Sequence, residues 1–358
     1  MSRFISERYR SLIPYVPGEQ PKLTSDTIKL NTNESPFPPS EKAISFAGEA
    51  AKKLERYCDT QCTALREKMA DLYGIDKDEI VFTNGSDEVL SLCFMAFCDS
   101  KKAALFPDIT YGFYKVFADV YCVPYTEIPL NTDFLVEPQS YYYAGKTIFI
   151  ANPNAPTGIS LTKEDIRGIL EHNRDDIVVI DEAYIDFGGE SVVPLIHEYD
   201  NLIVTGTFSK SRSMAGARLG FGIASKALIT DLNTVRNSLN PYNVNAMTQA
   251  AGLGALMDEA YTKANCQTIR NNRAYLTEEL RKMGFTVLKS DANFVFAKHP
   301  QMNGKALYDY LRGRRIFIRH FETERLKDYN RITIGTREQL DKLLDTIRQF
   351  AEEQNENG

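Results

Sequence analysis

The chain carries no surplus of positive charge: 42 Lys and Arg stand against 48 Asp and Glu, for a formal net charge of −6. No global field draws it to nucleic acid or anionic lipid, so any phosphate it binds must be held by a local site. Nowhere do 18 apolar residues run together, which leaves no candidate helical membrane span. The first sixteen residues have no continuous apolar stretch behind their charges and do not read as a signal peptide. The six cysteines form no CxxC pair, and Cys58-x3-Cys62 has no histidine nearby to complete a zinc set. No metal is therefore expected, and the cysteines read as plain thiols in a reducing cytoplasm. GxxxxGK[ST] is missing and so is a glycine-rich dinucleotide fingerprint, which counts against a P-loop nucleotidase and against a nucleotide or flavin protein of similar topology. There is no basic recognition helix, no internal repeat and no low-complexity tract.

What is present is an ordinary globular balance, 43% hydrophobic and 25% charged, over 358 residues, a length that suits two domains. The first forty residues are punctuated by Pro14, Pro17, Gly18, Pro21 and the run Asn31-Thr-Asn-Glu-Ser-Pro-Phe-Pro-Pro39, the mark of an arm or a lid. From about 60 to 225, short apolar runs at 80–82, 103–106, 147–150, 177–180, 202–205 and 219–223 read as strands. Helical periods are expected at 86–98, 112–119, 163–172 and 246–258. Several of the runs are apolar on consecutive positions, as in strands covered on both faces, so the expectation is an α/β fold with a mostly parallel sheet between helices. After a long helix at 261–283, strand-like segments at 285–288, 293–296, 316–318 and 331–334 and helices at 304–312 and 337–353 suggest a smaller α+β domain, with a tail that frays from 352. The expected division is an N-terminal arm or lid packing on the small domain (1–40), a large domain (41–258) and a small C-terminal domain (259–358).

In such sheets ligands sit at the C-terminal ends of the strands, and four strand ends here carry unusual residues. Gly85 and Ser86, after the first run, open a helix whose free N–H groups form either an anion site or an ordinary cap made by Ser86 or Asp87. After the second run, Tyr111 is either a flat face for an aromatic ligand or an aromatic packed under a loop. Ile177-Val-Val-Ile-Asp181 ends an apolar strand in a carboxylate, which needs a partner: a magnesium ion, a helix cap or a protonated ring nitrogen. Tyr184 lies within reach of the same ligand. The fourth, Thr205-Gly-Thr-Phe-Ser-Lys210-Ser-Arg-Ser-Met-Ala-Gly-Ala-Arg218, sets a lysine among small and hydroxyl residues with an arginine eight positions on. Lys210 is either a solvated loop lysine or a reactive amine beside the phosphate donors Thr207, Ser209 and Arg218.

Thr207-Phe-Ser-Lys-Ser-Arg-Ser-Met-Ala-Gly216 resembles the cofactor-lysine signature of the fold-type I, pyridoxal-phosphate-dependent aminotransferases. Asp181-x-x-Tyr184 and Asn152-Pro-Asn-Ala-Pro-Thr-Gly158 stand in matching order, and the resemblance spans roughly 12–345. Within that family Leu12-Ile-Pro-Tyr15, Leu30-Asn-Thr-Asn-Glu-Ser-Pro36, Arg56-Tyr57, Asn84-Gly-Ser-Asp-Glu88 and Arg331-Ile-Thr-Ile-Gly335 resemble the histidinol-phosphate branch.

The resemblance implies pyridoxal 5′-phosphate joined to Lys210, Asp181 on its ring nitrogen, Tyr184 on its phenolic oxygen and Tyr111 stacked on the ring. It implies the phosphate on Gly85, Ser86, the backbone of Asp87, Thr207, Ser209 and Arg218, with Tyr57 contributed across a homodimer that shares its active sites. Ala155 stands where the family usually has Asn, so the contact to the phenolic oxygen is expected from Asn154, from a water, or from Tyr184 alone. Tyr15, Asn33, Arg319 and Arg331 are the expected substrate contacts for an amino donor and a 2-oxo acid. The rival expectations are an aromatic-amino-acid aminotransferase or a threonine-phosphate decarboxylase on the same scaffold, and a non-catalytic protein that only binds the cofactor.

Overall fold

The computed structural model describes residues 2–356. The N-terminal segment supplies a two-residue strand, β1 (Ile28–Lys29), before helices α1 (Glu41–Ala51) and α2 (Thr63–Tyr73). Seven strands then build the principal sheet: β2 (Ile80–Thr83), β3 (Ala104–Pro107), β4 (Tyr125–Ile128), β5 (Thr147–Ala151), β6 (Val178–Asp181), β7 (Leu202–Thr207) and β8 (Gly220–Ala224). Their order is β2-β8-β7-β6-β5-β3-β4, parallel throughout except that β8 runs against both neighbours. Helices α3 (Ser86–Phe97), α4 (Phe113–Tyr121), α5 (Lys163–Glu171), α6 (Lys226–Leu239) and α7 (Ala246–Leu256) complete this part of the chain.

Side chains alternate across a strand, and the apolar runs split accordingly. Ile148, Ile150, Ile180 and Val204 enter the core on one face, while Phe149, Val179 and Ile203 enter the core on the other. A sheet covered on both faces needs apolar residues at every position, which is why these strands read as continuous runs.

The second core lies in the C-terminal part, formed by α8 (Glu259–Lys282), β9 (Thr286–Val287), β10 (Phe294–Lys298), α9 (Gly304–Gly313), β11 (Ile316–Phe317), β12 (Arg319–His320), β13 (Tyr329–Thr333) and α10 (Arg337–Glu356). An antiparallel sheet in the order β12-β13-β10-β9 buries Val295 and Ile332 against Leu276, Leu307 and Leu343. The N-terminal segment joins this core: β1 pairs in parallel with β11, and Ile28 and Leu30 are buried there.

The structure departs from the sequence expectations in a few places. α1, α2, α6 and β4 were not expected. α1 fully buries only Ala43, α6 carries the buried Arg236 within its apolar stripe, and β4 is a partly exposed edge, so these three lack a clean pattern, whereas α2 buries Leu65, Met69 and Ala70. The run at 316–318 gives only β11, paired with β1 outside the main C-terminal sheet, and the run at 285–288 shortens to β9. α10 continues to Glu356 where fraying from 352 was expected, and of that tail 357–358 lie outside the described residues. Among the described residues no helix is long and apolar enough to cross a membrane.

β2, β5, β6 and β7 all point the same way, so their C-terminal ends share one edge of the sheet. Gly220 fits that edge closely: a Cβ there would lie 2.2 Å from the Ser86 nitrogen at the start of α3. Gly220→Ala is expected to destabilise the cofactor-free protein by about 2 kcal/mol, since the contact is with backbone that cannot swing aside. Urea denaturation reads it, and an unchanged midpoint would show that α3 is not fixed against β8.

Candidate active site

Asp181 ends β6 directly opposite Thr205 of β7 and is only 4% exposed. Its carboxylate accepts hydrogen bonds from Thr205 Oγ1 (3.1 Å), Tyr114 Oη (3.2 Å) and the Ala183 N–H (3.2 Å). None of these brings a positive charge. Burial pushes the carboxyl up to about 6, and the hydrogen bonds hold it back only in part. The neighbouring Glu182 turns into the core, where it accepts from Ser191 Oγ and the Val192 N–H. Asp181 alone of the two faces a cavity of ≈ 340 Å³, which is also lined by Tyr184, Lys210, Tyr111, Ser86 and Arg218.

The start of α3 forms one wall. Gly85 is its N-cap, at φ +84, with no side-chain cap hydrogen bond, so the first N–H groups are not taken by Ser86 or Asp87. The Asp87 carboxylate instead accepts from Tyr111 Oη (2.6 Å) and from Arg218 Nη2 (3.0 Å). Burial and that carboxylate hold the Tyr111 hydroxyl well above its ordinary pKa, so it stays protonated. The Tyr111 ring lies near parallel to Phe113 and edge-on to Tyr114. Thr207 and Ser209 close the cradle, with Thr207 Oγ1 donating to Ser209 Oγ at 2.9 Å. Bare N–H groups, two hydroxyls and a guanidinium meet here, as anion binding requires.

Lys210 follows this cradle. Its ammonium donates to the Thr32 carbonyl at 3.3 Å and lies 5.8 Å from the centre of the Tyr184 ring, so it lines the cavity and is not a solvated loop lysine. Tyr184 sets its ring edge-on to Phe294, and its hydroxyl accepts from Asn33 Nδ2 at 3.0 Å. Asn154 falls outside the cavity. Its amide is spent on the Ile109 carbonyl, Thr157 and Thr110, and it is Ala155 that lines the wall.

A second cleft of ≈ 550 Å³ shares Lys210, Tyr184 and Tyr111 with the first and brings in Tyr15, Arg319 and Arg331. Among the described residues neither arginine has an acidic partner. Arg331 donates to the Asn31 carbonyl, while its Nε is sealed from solvent with nothing to bond, and burial depresses its pKa. Tyr15 leans on Phe113, with ring centres 4.4 Å apart. Asn33 borders this cleft too, but both ends of its amide are already engaged, with Thr333 and Tyr184. Tyr57 is 84% exposed, stacked on Tyr242, and lines neither cavity of its own chain.

The residues present fit pyridoxal 5′-phosphate. A buried carboxylate lacks the cation that a protonated ring nitrogen supplies, a primary amine shares its cavity, and a built anion cradle sits at one end. Sequence reasoning missed Tyr114 and Thr205, which hold Asp181. The place of Thr205 near the end of the strand that follows Asp181, and of Tyr114 three residues after Tyr111, were the available signals.

Residues 25–347 match the profile of the family described as aminotransferase class I and II. Over 349 residues the chain is 43% identical to histidinol-phosphate aminotransferase of Clostridium beijerinckii, covering 97% of each protein. The crystal structure of the histidinol-phosphate aminotransferase from Clostridium acetobutylicum superposes with a TM-score of 0.84 at 25% identity, over 91% of this chain and 99% of that one. That from Sinorhizobium meliloti, in complex with pyridoxal-5′-phosphate, gives 0.83 at 22% identity over 90% and 91%. The chain belongs to the family of class I and II aminotransferases and is a pyridoxal-phosphate-dependent enzyme of that kind.

Proposed function

We propose that the protein transfers the amino group of L-histidinol phosphate to 2-oxoglutarate, giving imidazole-acetol phosphate and L-glutamate, a step of histidine biosynthesis. One observation carries the choice of substrate: Arg319 and Arg331, which have no acidic partner among the described residues, open onto the cleft that also holds Lys210. Two guanidiniums and the Tyr15 hydroxyl suit a phosphate dianion better than a lone carboxylate. The names carried by the relatives agree.

When bound, pyridoxal phosphate supplies an aldehyde that condenses with amines and a ring that accepts the electrons left when a Cα proton departs. Asp181 holds a proton on the ring nitrogen, and its own need of a cation makes that pairing favourable in both directions. Lys210 is placed to be the base that lifts the substrate Cα proton and the acid that returns it. Tyr184 would offer its hydroxyl to the phenolic oxygen. Gly85, Ser86, the Asp87 N–H, Thr207, Ser209 and Arg218 would hold the phosphate, and Tyr111 would face the ring. Arg331 receives the carboxylate of the 2-oxo acid, and with Arg319 the phosphate ester of the donor. Tyr57 serves the site of a second copy in a homodimer. Its exposure beside Tyr242, with Leu239 and Met247 also exposed, supports that reading.

Three outcomes test this. Borohydride is expected to bleach the yellow wild-type protein and leave the label on Lys210, and Lys210→Ala to take up no label. Label elsewhere removes the lysine from its role. Arg319→Ala is expected to lower kcat/KM for L-histidinol phosphate by about 10- to 100-fold, the worth of one or two charged hydrogen bonds, while leaving phenylalanine turnover near wild type. Intact turnover of the phosphorylated donor with altered use of free aromatic amino acids would overturn the phosphate-ester assignment.

The third concerns Asp181, raised to about 6 from an ordinary 3.8. A raised carboxyl binds its proton more tightly in the folded state. Its charge therefore destabilises the cofactor-free fold above pH 6, and that penalty fades as pH falls towards 4. Cofactor-free Asp181→Asn is expected to be more stable than wild type at pH 8, by up to about 3 kcal/mol, and to match it near pH 4. Urea denaturation at the two pH values checks this, and a variant less stable at pH 8 contradicts it.

A further inference from the structure

Asn33 is buried on the N-terminal segment at φ +55, a left-handed conformation that asparagine tolerates better than most residues. Three hydrogen bonds from the C-terminal part hold it. Its backbone N–H donates to Thr333 Oγ1 (3.0 Å), Thr333 Oγ1 donates back to Asn33 Oδ1 (3.0 Å), and Asn293 Nδ2 donates to the Asn33 carbonyl (3.0 Å). Thr333 Oγ1 accepts from the backbone N–H and gives its own proton to the asparagine amide oxygen, so it serves Asn33 as acceptor and as donor at once. The amide nitrogen is thereby turned to the Tyr184 hydroxyl, 3.0 Å away.

A phenol has one proton to give. With the Tyr184 oxygen accepting from Asn33, its O–H remains unspent, and among the described residues it donates to no acceptor. The geometry points to Asn33 as the positioning residue that orients the Tyr184 hydroxyl as a donor into the cavity, held to that task by Thr333 and Asn293. This deepens the proposed function and rests on its reading of Tyr184 as the partner of the cofactor's phenolic oxygen. It also moves Asn33 from the substrate contacts to the framework. The donation it makes polarises the phenol and strengthens the hydrogen bond that Tyr184 gives. Asn33 belongs to a segment seated on the C-terminal core, whereas Tyr184 follows a strand of the principal sheet. The single contact therefore ties the tuning of the cofactor to the seating of one core on the other.

The test is a pH titration of the absorbance of the bound cofactor, without substrate. A hydrogen bond given to the phenolic oxygen favours the deprotonated chromophore, so losing it moves the midpoint up. Tyr184→Phe is expected to raise the midpoint by about one unit, and Asn33→Ala by about half a unit. Asn33→Asp keeps the shape but presents an acceptor. The hydroxyl then turns away from the cavity, and the midpoint is expected to rise about as far as in Tyr184→Phe. In a Tyr184→Phe background, the neutral Asn33→Ala is expected to add nothing. Thr333→Val, which frees the amide to rotate, is expected to shift the midpoint upward by less, and it serves where the Asn33 variants fail to fold. If Tyr184→Phe leaves the midpoint unmoved, the underlying reading of Tyr184 fails. If Tyr184→Phe moves it but the Asn33 and Thr333 variants stay at the wild-type value, the inference alone is overturned, as it also is if Asn33→Ala raises KM without moving the titration.

Discussion

A carboxylate with no cationic partner among the described residues ends a strand in the middle of the principal sheet, and the rest of the site is arranged around that deficit. Thr205 and Tyr114 orient Asp181 without neutralising it, and burial pushes its carboxyl up to about 6. A protein selected only for stability would have an apolar residue there, since an unpaired buried charge opposes folding. On the proposed function the missing charge arrives with the cofactor and offsets that cost. Folding and cofactor binding are thereby linked: what destabilises the empty protein is what makes the occupied one favourable.

The same logic governs the anions. A chain with a net charge of −6 has no general attraction for a phosphate ester, so each anion must be met by a dedicated group. The proposed function gives one to Arg218 at the start of α3, where Asp87 holds the guanidinium in place. It gives the other to Arg319 and Arg331 on β12 and β13, which pair directly with the two arginines in register. Like charges on facing strand positions repel each other. A dianion between them, as the proposed function has it, would relieve that repulsion.

Much of this was legible in the sequence, for a physical reason. The strands of the principal sheet are covered on both faces, so they announce themselves as apolar runs, and the chemistry stands where each run stops: Asp181 after Ile180, Lys210 past Thr207, Gly85 after Thr83. α1 and β4 were missed because they are shallowly buried and carry no strong periodicity. Asn154 was misplaced because position along the chain does not say which way a loop side chain turns. Backbone carbonyls and hydroxyls of its own neighbourhood claimed its amide. Tyr114 went unrecognised because a buried tyrosine on a helix looks like core until the strand end beneath it is known to be a carboxylate.

The N-terminal segment illustrates a subtler limit. Its prolines mark it as an arm or a lid packing on the small domain, which does not say what its residues do there. β1 pairs with β11, Leu30 enters the C-terminal core, and Asn31, Thr32 and Asn33 contact Arg331, Lys210 and Tyr184 in turn. Two of those three contacts are made by backbone carbonyls, whose direction depends on φ and ψ and not on the identity of the side chain. A segment that works through its main chain leaves little trace in residue types beyond the one position, Asn33, where the left-handed turn and the side-chain contact coincide.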